Sequence, residues 1–302
     1  MKKEVSRIIG EYNSGTPGPL LFVTAGVHGN EPSGVIALQK VFRELQQNKP
    51  KIKGTMVGVS GNREALKKNV RFIDEDLNRI WTQEKLEKEI PESSEQIEMG
   101  RIIGALNRYP KRHYDKQYFL DCHTTSSESL PYISVQEVND NDQWASRFPT
   151  YIVRGFSDLI TGDIDHYLSR QGLTGFVFEG GQHESETAVE NHEGMIWLAL
   201  KKALDLDLHS ISCYPECVKN FMEKNAPQPK TFEIVYRHSL QEGDDFKMEP
   251  GFENFDKIEK DELLAMHNGG EIRSDRDGYI FLPLYQSKGN DGFFIIEEVK
   301  AH

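Results

Sequence analysis

The sequence predicts an α/β protein, a layered sheet with helices on both faces, followed by a smaller β-rich domain. Two observations carry this. Over the first two thirds of the 302 residues, short apolar runs alternate with amphipathic stretches, the grammar of strands alternating with helices. From about residue 210 long helical periodicity fades and strand-like segments follow one another. We therefore divide the chain at residues 1–208 and 209–302.

Taken in order, LLFVTA (20–25) reads as a strand and PSGVIALQKVFRELQ as a helix, with Val35, Leu38, Phe42 and Leu45 at helical spacing. Pro32 suits its first turn, where a missing N–H costs nothing. GTMVGVS (54–60) is a second strand. Residues 93–109 form an amphipathic helix capped by Ser93 or Ser94. QYFLDCH (117–123) and TGFVFE (174–179) are strands that flank a short helix, 162–172, closed by glycine. Residues 190–206 give a further helix. In the last part, TFEIVYRH, EIRSDRDGYIFLPLY and NDGFFIIEEV are β segments, with Asp277-Gly278 and Asp291-Gly292 as hairpin turns. A weak helical pattern remains near 256–266.

Composition bounds the function. The chain is 37% hydrophobic and 28% charged, within the soluble globular range. Its start, MKKEVSRIIGEY, lacks the apolar core of a signal peptide, and no run is long enough to span a membrane. A net charge of −12 disfavours nucleic-acid or anionic-membrane binding, so an anionic substrate must be drawn by a few local arginines. Three cysteines, Cys122, Cys213 and Cys217, point to a reduced, cytoplasmic protein and not to a disulfide framework. His209, Cys213 and Cys217 are four apart, but without a fourth ligand, and with Pro215 between them, they read as structural. A homo-oligomer is compatible with all of this.

The chemistry gathers at strand ends. His28 and Glu31 follow the first strand in a glycine-rich turn, AGVHGNEPSG; His123 ends one later strand and Glu179 another. In open α/β sheets binding crevices form at the carboxyl ends of strands. Two imidazoles and a carboxylate, two of them close in sequence and one distant, match a catalytic zinc site with its fourth position left to water. Singly each residue reads as well as a hydrogen-bonded structural group; the combination at one sheet edge favours the metal. Asp121, on the same strand face as His123, is placed to orient that imidazole. The segment 61–81 holds Arg63, Arg71, Arg79, Asn62 and Asn78, but its five basic and four acidic side chains between 62 and 79 make no basic patch. The pair Asn78-Arg79 instead suits recognition of one carboxylate.

Through AGVHGNEPSG, NVRFIDEDLNR, DCHTTSS and FEGGQH, in that order between residues 25 and 183, the chain resembles the succinylglutamate desuccinylase/aspartoacylase family, relatives of zinc carboxypeptidases. The resemblance implies a zinc-carboxypeptidase-like three-layer αβα sandwich with a mixed sheet and a small C-terminal β-rich domain. It implies one zinc per chain, held by His28, Glu31 and His123. It makes Arg71 the group that polarises the scissile carbonyl, Asn78 and Arg79 the grip on a substrate carboxylate, and Glu179 the general base. Asp76 would support the arginines. For a second carboxylate the candidates are Arg154 or Arg170, and Tyr285; His183 and His192 either line the pocket or pack. FEGGQHES departs from what a strict N-acetylaspartate hydrolase would carry. The implied reaction is hydrolysis of the amide bond of a small anionic N-acyl amino acid. The alternatives are a carboxypeptidase acting on short peptides, which needs the same groups, and a non-catalytic protein that binds an acyl amino acid.

Overall fold

The computed structural model describes residues 5–299 except 127, 157, 158, 160, 184, 212–214, 226–229 and 286–290. Strands β1 (Ile8–Asn13) and β2 (Thr16–Ala25) lead into helix α1 (Ser33–Asn48). Strand β3 (Lys53–Ser60) is followed by α2 (Arg63–Lys68), a 3-10 turn at Leu77–Arg79, α3 (Gln83–Leu86) and α4 (Ser94–Leu106). Then come β4 (Gln117–Thr125), β5 (Tyr132–Ser134), α5 (Asn141–Ala145), β6 (Tyr151–Arg154), α6 (Ile164–Arg170), β7 (Thr174–Gln182), α7 (Glu186–Leu204) and α8 (Glu216–Asn225). The remainder is β: β8 (Thr231–Ser239), β9 (Phe246–Met248), β10 (Lys257–Ile258), β11 (Leu263–His267), β12 (Gly270–Arg273), β13 (Gly278–Phe281) and β14 (Asp291–Glu298).

Among the described residues, one sheet runs β1-β3-β2-β4-β7-β5-β6-β8-β14-β13-β10, and a smaller one runs β12-β11-β9. The large sheet is mixed. β3, β2, β4 and β7 are parallel neighbours, whereas β5 runs antiparallel to β7. β6 pairs in parallel with β8, so the sheet continues from the α/β part into the β-rich part.

Layering explains why LLFV is apolar at every position. Leu21, Val23 and Ala25 pack with Val35, Leu38 and Phe42 of α1 and with Met195 and Leu198 of α7. Leu20 and Phe22 face the other way, against Met99 and Ile102 of α4 and Leu168 of α6. A strand covered on both faces loses the polar-apolar alternation of a half-exposed one. Phe22 is fully buried. Phe22→Ala is therefore expected to cost about 3–5 kcal/mol, read as a lower urea midpoint with an unchanged m-value.

The helix ends follow their caps. Ser93 accepts from Gln96 N before α4, and Asp163 accepts from His166 N before α6. Pro32 immediately precedes α1 in helical conformation.

Three local expectations fail in the β-rich part. Asp277-Gly278 makes no hairpin: Gly278 opens β13, which pairs with β10 and β14, and a Cβ there would lie 2.9 Å from Ile295 Cγ2. Asp291 and Gly292 begin β14, and a Cβ on Gly292 would lie 2.5 Å from the Phe246 ring. Both glycines thus serve close packing. The tight turn is Asn268-Gly269, with φ of 49° and 78°, joining β11 to β12 where His267 faces Gly270. Asn-Gly at positive φ is the two-residue hairpin signal. The pattern near 256–266 is not helical; it holds β10 and part of β11, separated by Asp261 in the left-handed region.

No helix among the described residues is long and apolar enough to cross a membrane. His209 is exposed and Cys217 packs into the core. Cys213 lies outside the described residues.

Candidate metal centre and active site

The turn after β2 is shaped by two glycines. Gly26 takes φ +70°, a conformation that costs a side chain more than it costs glycine. Gly29 approaches α2 so closely that a Cβ would lie 2.1 Å from the Ala65 carbonyl carbon. Its N–H donates to Arg71 O at 3.1 Å, tying this turn to the next loop. In that tight bend His28 and Glu31 point the same way.

Glu31 lies at the centre. Its Oε1 meets His28 Nδ1 at 2.9 Å. Its Oε2 meets His123 Nδ1 at 3.1 Å and accepts the Thr124 N–H at 3.0 Å. One ligand atom from each of His28, Glu31 and His123 lies within 4.8 Å of the others. The two imidazole rings meet edge to face, with centroids 5.0 Å apart. All three residues are buried.

The outer nitrogen of each imidazole also faces a carboxylate. His28 Nε2 meets Asp76 Oδ1 at 3.0 Å, and His123 Nε2 meets Asp121 Oδ2 at 2.9 Å. Thr24 donates to the other Asp121 oxygen at 2.5 Å. A carboxylate behind each histidine fixes the ring and raises its basicity, as at metal-binding histidines generally.

Electrostatics follow from this crowding. Burial alone would raise the Glu31 carboxyl, but His28 and His123 outweigh it and hold the group well below the usual carboxylate range. Burial would likewise lower His123; Asp121 and Glu31 outweigh it and hold the imidazole well above its ordinary value. Burial opposes ionisation of Asp76 too, yet His28 and Arg71 keep it well below its usual range. Three carboxylates surrounding two imidazoles form a pocket that favours a cation. Two nitrogens and one oxygen are a donor set that suits a divalent transition metal.

Glu179 stands across the ladder from His123, paired with it between β4 and β7. Its Oε2 is enclosed and has no hydrogen-bond partner among the described residues. Burial is the main cause that pushes this carboxyl up to about 8. Next to it, His192 packs under Gly180, and burial pushes its imidazole down to about 4. His183 Nδ1 lies 2.7 Å from Thr124 Oγ1, on the segment that follows β7.

The loop before the 3-10 turn supplies the cations. Arg71 donates to Asp76 Oδ2 from Nε at 3.1 Å and from Nη2 at 2.9 Å, while its Nη1 lies 3.8 Å from Glu31 Oε1. Asp76 therefore supports Arg71, as expected, and orients His28 as well, which no local pattern announced. Asn78 Oδ1 accepts the Ile164 N–H at 3.0 Å, docking the loop on α6. The Arg79 guanidinium is exposed and donates to Asn78 O at 2.7 Å.

The sequence also missed Glu95. This fully buried carboxylate accepts from Asn62 Nδ2 and from the backbone N–H groups of Ile73, Asp74 and Glu75, and so shapes the Arg71–Asp76 loop. The available signal was a glutamate in the first turn of α4.

Other named candidates are not brought to the cluster. Tyr285 is 47% exposed, and its hydroxyl donates to Glu249 O and accepts from Phe252 N. Arg154 forms a two-pronged bond with Asp142, and Arg170 is exposed on α6.

Residues 17–182 match the family model of the succinylglutamate desuccinylase/aspartoacylase catalytic domain. A succinylglutamate desuccinylase of Pseudoalteromonas atlantica is 22% identical over 275 residues, covering 85% of this chain and 75% of that protein. Another, from Pseudomonas fluorescens, is 28% identical over 98 residues, covering 32% of this chain and 29% of that protein. Among solved structures, a succinylglutamate desuccinylase/aspartoacylase from Rhodobacter sphaeroides superposes with a TM-score of 0.69 at 16% identity, covering 95% of this chain and 87% of that one. The product-bound ectoine utilization protein EutE (DoeB) from Ruegeria pomeroyi gives a TM-score of 0.67 at 17% identity, with 95% and 87% covered. These likenesses share the fold, and the family model spans more than half of the 302 residues, from the strand before the His28 turn to the end of β7. The chain belongs to the succinylglutamate desuccinylase/aspartoacylase family.

Proposed function

We propose that this protein is a zinc-dependent deacylase that hydrolyses the amide bond of a small, anionic N-acyl amino acid. The observation that carries the reading is the Glu31 carboxylate held between two buried imidazoles, with the enclosed and unpartnered Glu179 oxygen on the adjacent strand. His28, Glu31 and His123 would hold the metal. Zinc bound there supplies Lewis acidity, which brings the pKa of a water to about 7 and polarises a carbonyl.

The protein's own groups do the rest. Glu179 takes the proton of the attacking water and later gives it to the departing amine. Burial raises this carboxyl in the metal-free protein; a cation held beside it would favour the ionised form that accepts the proton. Arg71, held in place by Asp76, donates to the carbonyl oxygen as negative charge develops on it. Asn78 and Arg79 grip the substrate carboxylate, which reduces the entropic cost of reaching the reacting geometry. The exposed Arg79 fork fits that role, because it is spent on no internal carboxylate among the described residues.

The test is amine release from a panel of N-acyl amino acids and short peptides, run on protein as purified, after chelation, and after zinc is restored. Turnover of an acyl amino acid that is lost on chelation and regained with zinc is the expected result. Activity confined to peptides would replace the deacylase by a carboxypeptidase. Ligand binding without turnover in zinc-replete protein would leave a binding protein. Arg79→Lys is expected to raise KM roughly tenfold or more with a smaller change in kcat, since an ammonium cannot reproduce a two-pronged bond. An unchanged KM removes Arg79 from recognition.

A further inference from the structure

Tyr132 brings to this centre a polar group that the proposed chemistry leaves unused. It opens β5 and pairs with Glu179 of β7 in antiparallel register, so both side chains rise from the same face of the sheet. It is 1% exposed, yet its hydroxyl has no hydrogen-bond partner among the described residues. Burial, followed by the charges of Glu179 and Glu31, holds the phenol well above its ordinary value, so it stays a neutral donor. A buried donor without a partner is unfavourable, and a ligand that accepts from it removes the penalty.

The β-rich part holds the ring in place. Phe255 and Phe281 meet it edge to face, with centroids 5.5 and 5.1 Å away. Phe255 does so with φ at +73°, a region that bulky side chains rarely enter. Its N–H donates to Ile280 O at 2.9 Å, which ties the strained residue to β13. Strain of this kind persists where the surroundings enforce it, and it gathers at ligand sites. Here it presses an aromatic ring against Tyr132.

Position along the sheet tells which half of a substrate meets the hydroxyl. The Asn78–Arg79 turn is anchored by Leu77, Ile80 and Trp81, which pack with Phe22 of β2 and Val57 of β3. Tyr132 packs instead with Phe281 of β13 and Phe294 of β14. The strand order β3-β2-β4-β7-β5 places His28, Glu31, His123 and Glu179 between these two regions. A substrate with its amino-acid carboxylate on Arg79 and its amide beside Glu179 therefore directs its acyl group towards Tyr132.

We infer that the Tyr132 hydroxyl donates a hydrogen bond to an oxygen at the far end of the acyl group. Tyr132 thereby selects acyl groups that end in oxygen, a carboxylate or an amide, over plain alkyl ones. The direction in which the substrate lies rests on the deacylase reading. The hydroxyl supplies no proton to the reaction; it fixes the acyl group while Glu179 and Arg71 act on the amide. The β-rich part, through Phe255 and Phe281, is in this way a wall of the site.

The test uses the full, zinc-restored chain and three probes: N-succinylglutamate, N-succinamoylglutamate and N-butyrylglutamate, which has the same chain length without the end oxygen. Glutamate release gives kcat/KM, and calorimetry gives affinity. Wild type is expected to favour at least one oxygen-ended probe over the butyryl one by about tenfold or more. Tyr132→Phe keeps the ring and its packing, and is expected to erase that preference with zinc content and Tm unchanged. Phe255→Leu is expected to lose part of the preference, and nothing further once Tyr132 is phenylalanine. Turnover with the preference intact in Tyr132→Phe overturns the contact and leaves the deacylase. So does an equal fall with all three probes, the mark of a structural residue, or a wild type without preference. Binding preference that depends on Tyr132, without turnover, keeps the contact and removes the deacylase. Neither binding nor turnover of any probe overturns both.

Discussion

Glu179→Gln is expected to lower turnover by about 10²–10⁴-fold while leaving metal content unchanged. Glutamine keeps the shape of the side chain and loses the ability to accept and return a proton. Glu179 is not among the three residues whose ligand atoms converge, so the ion should stay. Rate and metal stoichiometry measured on one preparation separate a proton-transfer role from a ligand role. Near-normal turnover would remove Glu179 as the base, and loss of metal would make it a ligand.

The same substitution has a stability signature in metal-free protein. Burial raises the Glu179 carboxyl, so the folded chain holds a proton that the unfolded chain gives up. A raised carboxyl pKa lowers stability as pH climbs from the unfolded value, near 4.5, towards about 8. Glutamine has no such dependence. Metal-free Glu179→Gln should therefore be more stable than wild type at pH 7, with the gap closing towards pH 4. A constant gap across that range would contradict the burial argument.

Gly29→Ala is the second large effect. A Cβ at this position would lie 2.1 Å from Ala65 C and 2.4 Å from Leu66 N, and backbone at both points cannot swing aside as a side chain can. The turn must lift from α2. Lifting it moves His28 and strains the Gly29 N–H bond to Arg71 O. The expected cost is roughly 1–3 kcal/mol of stability, from overpacking. Metal affinity should fall about 10–100-fold, the scale seen when ligand orientation is disturbed. Competition against a chelator of known affinity reads the second quantity. Gly100→Ala is the matched control: it sits exposed in α4 with nothing within 4 Å of a Cβ, and should stabilise by about 0.5–1 kcal/mol. Wild-type metal affinity in Gly29→Ala would mean that the turn is not what positions His28.

Much of this architecture is written locally. The apolar run Leu20–Val23 ends in a glycine turn, and helical spacing begins at Val35, so the first strand, turn and helix follow without knowledge of any partner. The same reasoning puts His28 and Glu31 just after a strand and His123 and Glu179 at strand ends, though β4 runs on to Thr125 and β7 to Gln182, so the latter two lie inside their strands near the carboxyl edge. It fails where glycine and aspartate carry two meanings. Asp291-Gly292 has the composition of a turn, yet Gly292 makes room for the Phe246 ring, 45 or so residues earlier in the chain. Asn268-Gly269, in contrast, is a turn because its strands face each other in register.

The sequence by itself determined most of the α/β elements, the faces they bury and the side chains whose chemistry suits a cation or a carboxylate. Those properties depend on residue chemistry and on repeats of two or 3.6 residues, both of which are local. The tertiary structure alone decided who meets whom. Glu31 meets His123 across 92 positions, and His28 meets Asp76 across 48, because β2 and β4 are neighbours in the sheet and the Arg71–Asp76 loop is bound to Glu95. The run of the large sheet into the β-rich part rests likewise on the β6–β8 pairing. Strand order and loop docking are set by packing summed over the whole chain, and no window of sequence contains that sum.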